Sequence, residues 1–321
     1  VILVNAIAMA NVCYIPVDFV YWRGQGIRAY SLMGKTCNEA EFIIPDLKKS
    51  DVPDVYEGAT VLSCIPGVYS DTGVIVLDYA SLYPSSIITE NISHDTILVD
   101  SAAVDEAQSL GYRINPVTYA THDDSVVKYF IANKSFEGLL PKTIKTLLKA
   151  RKDTRKLQKN YAAKSFEWNV LEGVQLAYKV VANSMYGILG ASTSKLVYVE
   201  LAACVTAVGR STISLAISTI QQRWGGRVVY VDTDSTWIVP ALAADSERPV
   251  SEMIDECIHI GKDISENIGR YLRGVQDLEF EMVVHSLIMF SKKRYVGDIY
   301  EKSGLKSEGR KTMGIVLKRR D

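Results

Sequence analysis

The residue pattern predicts an α+β fold, and three observations carry that expectation. Val74-Ile75-Val76-Leu77 is an unbroken apolar run between Gly73 and Asp78, the mark of a buried strand. Arg227–Val231 and Thr236–Val239 flank Asp232-Thr233-Asp234-Ser235, a hairpin signature with acids at its tip, and 278–300 again reads as strands. Two long helical stretches, about 137–164 and 167–188, stand between these strand regions.

Taken in order, residues 1–53 join a short apolar run to Arg23-Gly24-Gln25-Gly26 and a Lys/Asp/Pro cluster at 45–54, which reads as helix, turn and linker with a boundary near 54. The strand ending at Asp78 passes into Ser81-Leu82-Tyr83-Pro84-Ser85. Residues 94–135 are polar, turn-rich and uneven, and are expected to form an irregular insertion. Residues 137–164 carry nine Lys/Arg against two acids, while Leu139, Leu140, Ile144, Leu147, Leu148 and Leu157 recur at helical spacing. The basic residues should therefore lie on the exposed face of a long helix, opposite its apolar stripe. A second helix follows at once, so the two are expected to run antiparallel as a basic lever over a polyanion. A mostly uncharged helix from Gly190 to about Gln222, and another over 250–272 with Ile254, Cys257, Ile258, Gly261 and Ile264 on one face, complete the outline.

The chain has 321 residues, 48% hydrophobic and 23% charged, enough to bury a sizeable core and unlike disordered or collagenous sequences. Its net charge of −1 rules out a uniformly basic coat. The charge is unevenly spread: residues 137–164 have an excess of seven positive charges, 292–321 an excess of six, and the remainder is net −14. Cysteines at 13, 37, 64, 204 and 257 form no CxxC pair and have no histidine at zinc spacing, which reads as reduced thiols in an intracellular protein. Val1–Val17, broken by Asn5, Asn11 and Pro16, is too short and too polar to span a membrane, so no membrane partner is expected. A Val start and a Lys318-Arg319-Arg320-Asp321 end directly after the strand-like 314–317 suggest a segment of something longer.

Three acids end strands or occupy turns: Asp78, Asp232 and Asp234. Aspartates two apart in extended chain point to one side, and like charges held together are costly unless a cation lies between them. Oxygen donors without histidine or thiolate suit Mg²⁺. On the second lever helix, Lys179, Asn183 and Tyr186 fall at i, i+4 and i+7 beside Gly187, a cation, an amide and an aromatic in one row. Arg151 and Arg155 are one turn apart on the preceding helix. A carboxylate metal site with cations for a polyphosphate describes phosphoryl transfer between two ions. An ordinary hydrogen-bonded turn and plain solvated helix faces are the competing readings.

Several stretches together carry a resemblance. Asp78-Tyr79-Ala80-Ser81-Leu82-Tyr83-Pro84-Ser85 resembles the DxxSLYPS motif of family B DNA polymerases, Lys179-Val180-Val181-Ala182-Asn183-Ser184-Met185-Tyr186-Gly187 their KxxxNSxYG motif, and Tyr230-Val231-Asp232-Thr233-Asp234-Ser235 their YxDTDS motif. Ser291-Lys292-Lys293-Arg294-Tyr295 is similar to KKRY, Tyr56-Glu57-Gly58-Ala59 to the YxG/A segment, and Lys311–Arg320 to KxxGIxxxRR. All six stand in family order, and Asn5-Ala6-Ile7 and Arg23-Gly24-Gln25 resemble the delta-type branch and its relatives in large eukaryotic DNA viruses.

The resemblance implies an antiparallel palm sheet with packed helices, interrupted by two antiparallel fingers helices: 1–53 leading into the palm, 54–135 palm, 136–190 fingers and 191–321 palm again. It implies metal binding by Asp78, Asp234 and the Tyr79 carbonyl, with Asp232 less directly bound and Glu281 a further acid. The amides of Ser81 and Leu82, with Arg151, Arg155, Lys179 and Asn183, would hold the triphosphate. Tyr83 would exclude a 2′-hydroxyl and Tyr186 would face the nascent pair. Tyr56, Gly187, Lys292, Lys293, Arg294, Tyr295 and Lys311 would contact DNA.

The implied reaction is dNMP transfer from dNTP to a primer 3′-hydroxyl, with two Mg²⁺ ions, which Mn²⁺ can replace. The implied partners are primer-template DNA, dNTPs and a sliding clamp, in the nucleus or at a viral replication site. The acidic exonuclease motifs and the thumb of the family are not found in these residues, so no proofreading is expected. A non-catalytic nucleic-acid-binding module and a metal-dependent nuclease are the alternatives, separated by incorporation against cleavage on a labelled primer.

Overall fold

The computed structural model describes residues 2–43, 56–59, 61–62, 64–121, 125–132, 134–242, 248–305 and 307–316. In chain order the elements are α1 (Ile2–Cys13), α2 (Phe19–Trp22), α3 (Gln25–Glu39), β1 (Val61–Leu62), β2 (Gly67–Tyr69), β3 (Val74–Tyr79) and α4 (Leu82–Glu90). Then come β4 (Ile97–Leu98), α5 (Ser101–Ser109), β5 (Ile114–Ala120), β6 (Ser125–Ile131), α6 (Leu139–Gln158), α7 (Phe166–Gly190) and α8 (Val199–Trp224). The last are β7 (Arg227–Asp232), β8 (Ser235–Val239), α9 (Val250–Ile268), β9 (Leu278–Ser291), β10 (Arg294–Tyr300) and β11 (Gly309–Met313). Contacts divide the chain into one unit of Val1–Gly58 with Tyr83–Val208 and another of Ala59–Leu82 with Gly209–Asp321.

The first unit is built on the α6–α7 pair, against which α1 and α3 pack. Its core includes Ile87, Ile92, Leu140, Ile144, Met185, Leu189 and Leu201, all essentially buried. The 94–135 stretch corrects the expected irregular insertion: β4, β6 and β5 form an antiparallel three-stranded sheet, with α5 capped by Asp100, whose carboxylate accepts the Ala103 amide at 2.8 Å. Residues 91–95, leading into this segment, anchor α6. Its first amides, on Gly138, Leu139 and Leu140, donate to Asn91 Oδ1 (2.9 Å), Asp95 Oδ2 (3.0 Å) and Ser93 Oγ (3.2 Å). Donors left over at a helix start are thereby satisfied, and Asp95 places a negative charge at the positive end of the dipole. Gly138 is needed there, because a Cβ would come within 2.8 Å of Thr96 Cγ2.

The second unit holds an eight-stranded sheet in the order β1-β7-β8-β3-β9-β10-β11, with β2 also paired to β9 and every pairing antiparallel. Helix α9 covers one face: a Cβ on Gly261 would lie 2.4 Å from Phe280 and 3.0 Å from Ile75, so glycine permits the close approach. The other face carries a cluster of Val76, Tyr230, Trp237, Met282 and Tyr295, with the Trp237 and Tyr295 rings edge-on at 4.7 Å. Helix α8 is long and apolar enough to cross a bilayer by length and composition, but 61% of that window is buried within the fold. The strand-like 314–317 does not extend the sheet: β11 ends at Met313, and Leu317 lies outside the described residues.

Candidate active site

In the second unit, β3 delivers Asp78 at the end of four fully buried apolar residues. Asp78 is in register with Ser235 of β8 on one side and Glu279 of β9 on the other. The Tyr79 amide donates to the Asp234 carbonyl at 3.0 Å, which fixes the β7–β8 turn beside the end of β3. Asp78 and Asp234, 156 positions apart in sequence, are thus brought together by sheet pairing.

Within the turn, the Asp234 amide donates to the Asp232 carbonyl at 2.7 Å, and Thr233 between them has φ 59°. A β-branched residue in the left-handed region is strained, and such strain gathers at functional sites. The expectation of two aspartates along extended chain is corrected here: Asp232 ends β7, whereas Asp234 lies in the turn. Lys293 Nζ lies 2.7 and 2.8 Å from the two Asp232 carboxylate oxygens, and the Tyr230 hydroxyl donates to Oδ2 at 3.1 Å. The same Tyr230 hydroxyl accepts the Lys293 amide at 3.0 Å. Burial is the main cause that pushes the Tyr230 phenol up to about 12. Asp232 is therefore neutralised by a lysine, whereas Asp78 and Asp234 lie at the junction of β3 and the turn.

Glu281 is offset from Asp78 by a bulge, since Val76 pairs with Met282 and Leu77 with Phe280. Its carboxylate takes Lys311 Nζ at 3.2 Å on both oxygens, and that ammonium also lies 5.7 Å from the Trp237 ring centre. Arg294 is exposed, whereas Tyr295 is 4% exposed within the aromatic cluster and supports the strand beneath the lysines. Lys292 and Lys293 form the β9–β10 turn, with Lys293 at φ 59°. Among the described residues no three His, Cys, Asp or Glu side chains form a ready metal cage. Mg²⁺ is usually bound by one or two carboxylates with water and substrate oxygens completing its shell, and Asp78 and Asp234 are donors of that chemistry. Ser81 and Leu82 lie at the N-terminus of α4, where backbone amides favour anions.

In the first unit, α7 displays exposed Lys179 and Asn183 one turn apart. Neither has a hydrogen-bond or ion-pair partner among the described residues. On α6, Arg151 Nε donates to Gln175 Oε1 at 3.3 Å, and Gln175 Nε2 donates to Glu172 Oε1 at 2.8 Å. Gln158 joins the same pair of helices through Glu172 Oε2 at 2.8 Å, so the antiparallel α6–α7 pair is held by polar groups as well as by leucines. Arg155 is exposed one turn further along. The Tyr83 ring lies 4.4 Å from that of Tyr186, whose hydroxyl lies 3.4 Å from that of Tyr56. A Cβ on Gly187 would meet nothing within 4 Å, so this face is open. Sequence reasoning missed the supports Gln175, Glu172, Tyr230 and Trp237; only Tyr230 carried a signal, as the first residue of a recognised motif.

Comparison with known proteins gives this geometry its context. The family model for DNA polymerase family B matches residues 15–321. A DNA polymerase of Pyramimonas orientalis virus is 36% identical over 99% of this chain and 31% of its own length. The DNA polymerase delta catalytic subunit of Candida albicans is 31% identical over 99% of this chain and 30% of its own. The structure of the family B DNA polymerase from the archaeon Pyrobaculum calidifontis superposes with a TM-score of 0.62 at 27% identity, covering 93% of this chain and 35% of that one. The chain thus spans about a third of the length of these relatives. With motifs in family order and a match over nearly its full length, the chain belongs to DNA polymerase family B.

Proposed function

We propose that this chain carries the nucleotidyl-transfer machinery of a DNA polymerase, which adds dNMP from dNTP to a primer 3′-hydroxyl and releases pyrophosphate. The observation that carries this reading is the junction of β3 with the β7–β8 turn, where the Tyr79 amide meets the Asp234 carbonyl at 3.0 Å beside Asp78. Asp78, Asp234 and the Tyr79 carbonyl would hold divalent ions, Mg²⁺ or Mn²⁺, which when bound lower the hydroxyl pKa and neutralise the leaving phosphates. Lys179, Asn183, Arg151 and Arg155 would grip the triphosphate, joined by the Ser81 and Leu82 amides at the start of α4. Gln175 would keep the Arg151 fork aligned. Tyr83, backed by Tyr186, would close off the space of a 2′-hydroxyl. Lys292, Lys293, Arg294 and Lys311 would hold DNA phosphates, and Tyr56 and Gly187 would abut the DNA.

We assign residues 136–190 to the fingers and 54–135 with 191–321 to the palm, entered from 1–53. A sliding clamp and a site of action in the nucleus or a viral replication compartment follow from the delta-type and viral relatives as further proposals. Asp78→Ala and Asp234→Ala should each lower primer extension by at least about a thousandfold, with the circular dichroism spectrum unchanged. Substantial residual incorporation in either variant would overturn the assignment. Cleavage of the labelled primer in place of extension would indicate a nuclease.

A further inference from the structure

A second concentration of charge in the first unit runs along α6 beside Arg155. Lys145, Lys149, Lys152, Lys156 and Lys159 follow one another at three- and four-residue steps, so they line one stripe of α6 that runs on to its C-cap, Lys159. The buried residues Leu140, Thr143, Ile144, Leu147 and Gln158 occupy the opposite side. Lys145 pairs with Glu137, while Lys149, Lys152, Lys156 and Lys159 are exposed and have no ion-pair partner among the described residues. Arg151 is turned toward Gln175 on α7, whereas Arg155 borders the stripe one turn from Lys152 and Lys159.

The stripe ends at the α6–α7 turn, where Tyr161 is 40% exposed and Phe166 is 74% exposed. This turn is built, not loose. Ser165 Oγ accepts the Trp168 amide at 3.1 Å, and Asn169 Nδ2 donates to the carbonyls of Lys164 (3.0 Å) and Ser165 (2.8 Å). Tyr161 lies between Lys159 and Lys164 and Phe166 just past them, so the turn presents aromatic surface beside lysines.

We propose that this stripe and its aromatic tip bind single-stranded DNA, the unpaired stretch of a template. One row of cations repeating about every 5.4 Å turn follows one phosphate backbone, and bases stack on exposed rings whatever their sequence. A duplex hides its base faces, so Phe166 and Tyr161 select against it. The inference rests on the reading of the chain as a nucleic-acid-handling enzyme.

The test is fluorescence anisotropy of the full chain on labelled dT20 and on a primer-template with a two-nucleotide overhang, across a salt series. The triple variant Lys152→Gln/Lys156→Gln/Lys159→Gln should weaken dT20 binding and flatten its log–log salt slope by about two, from about 0.7 per lost contact. Tyr161→Ala/Phe166→Ala should weaken it by about tenfold or more with the slope unchanged. Both variants should retain wild-type affinity for the short-overhang duplex. Unchanged dT20 binding in either variant, or equal losses on both DNAs, would overturn the inference while leaving the polymerase reading intact. A wild-type chain that binds neither DNA would sink both.

Discussion

Tyr83 and Tyr186 stack at 4.4 Å across α4 and α7, so the ring expected to discriminate the sugar is braced against a partner. Tyr83→Ala removes the barrier and leaves the backbone in place; ribonucleotide incorporation relative to deoxyribonucleotide should rise by about tenfold or more. Unchanged sugar discrimination in a steady-state comparison would remove this role. Residue identities along the DxxSLYPS, KxxxNSxYG and YxDTDS stretches were legible because each needs a particular side chain at a fixed step. Their partners were not. Nothing in spacing says that Lys293 will sit on Asp232 or Lys311 on Glu281, since those pairs arise only when β7 and β11 enter one sheet.

Long elements with strong periodicity were readable from sequence, and short ones were not. The stripe of leucines over α6 and the run of four buried residues in β3 each dictate one structure. In 94–135 the strands are two and seven residues long, and β5 contains Asn115 and Pro116, with Val117 and Tyr119 its only buried residues. Such a segment gains its order from tertiary contacts. One of these is the ion pair between Lys128 on β6 and Glu200 in the first turn of α8, at 2.9 Å, with Glu200 3% exposed. Burial, and then the nearby Glu200 carboxylate, hold the phenols of Tyr119 and Tyr198 above their usual range. Lys128→Met leaves that carboxylate buried without its cation and should cost about 3–5 kcal/mol in chemical denaturation. Adding Glu200→Leu should recover most of the loss. A single variant as stable as wild type would show that the pair does not hold the sheet to α8.

Across the molecule, the near-zero net charge conceals basic surfaces on α6 and in the last thirty residues, a distribution fully visible in sequence. Thiol chemistry depends instead on burial. The Cys257 thiol is fully buried, and burial is the main cause that pushes it up to about 11; burial likewise raises Cys13 to about 11. An unfolded thiol ionises near pH 8.5, so each contribution to stability is complete below that pH and is lost as pH rises toward 11, by up to about 3 kcal/mol. Urea midpoints from pH 8 to 11 should therefore fall less steeply for Cys257→Ala than for wild type. An equal slope would show that this thiol is not responsible.

The carboxylates at the β3 end and the β7–β8 turn are proposed to serve nucleotide addition. Single-nucleotide extension of a labelled primer-template by the unaltered chain, at low salt with and without Mg²⁺, tests it most directly. The expected result is templated addition of one nucleotide that requires the ion and is abolished by a chelator. A folded chain that binds the primer-template yet adds nothing at any Mg²⁺ or Mn²⁺ concentration would contradict it and favour a non-catalytic binding module.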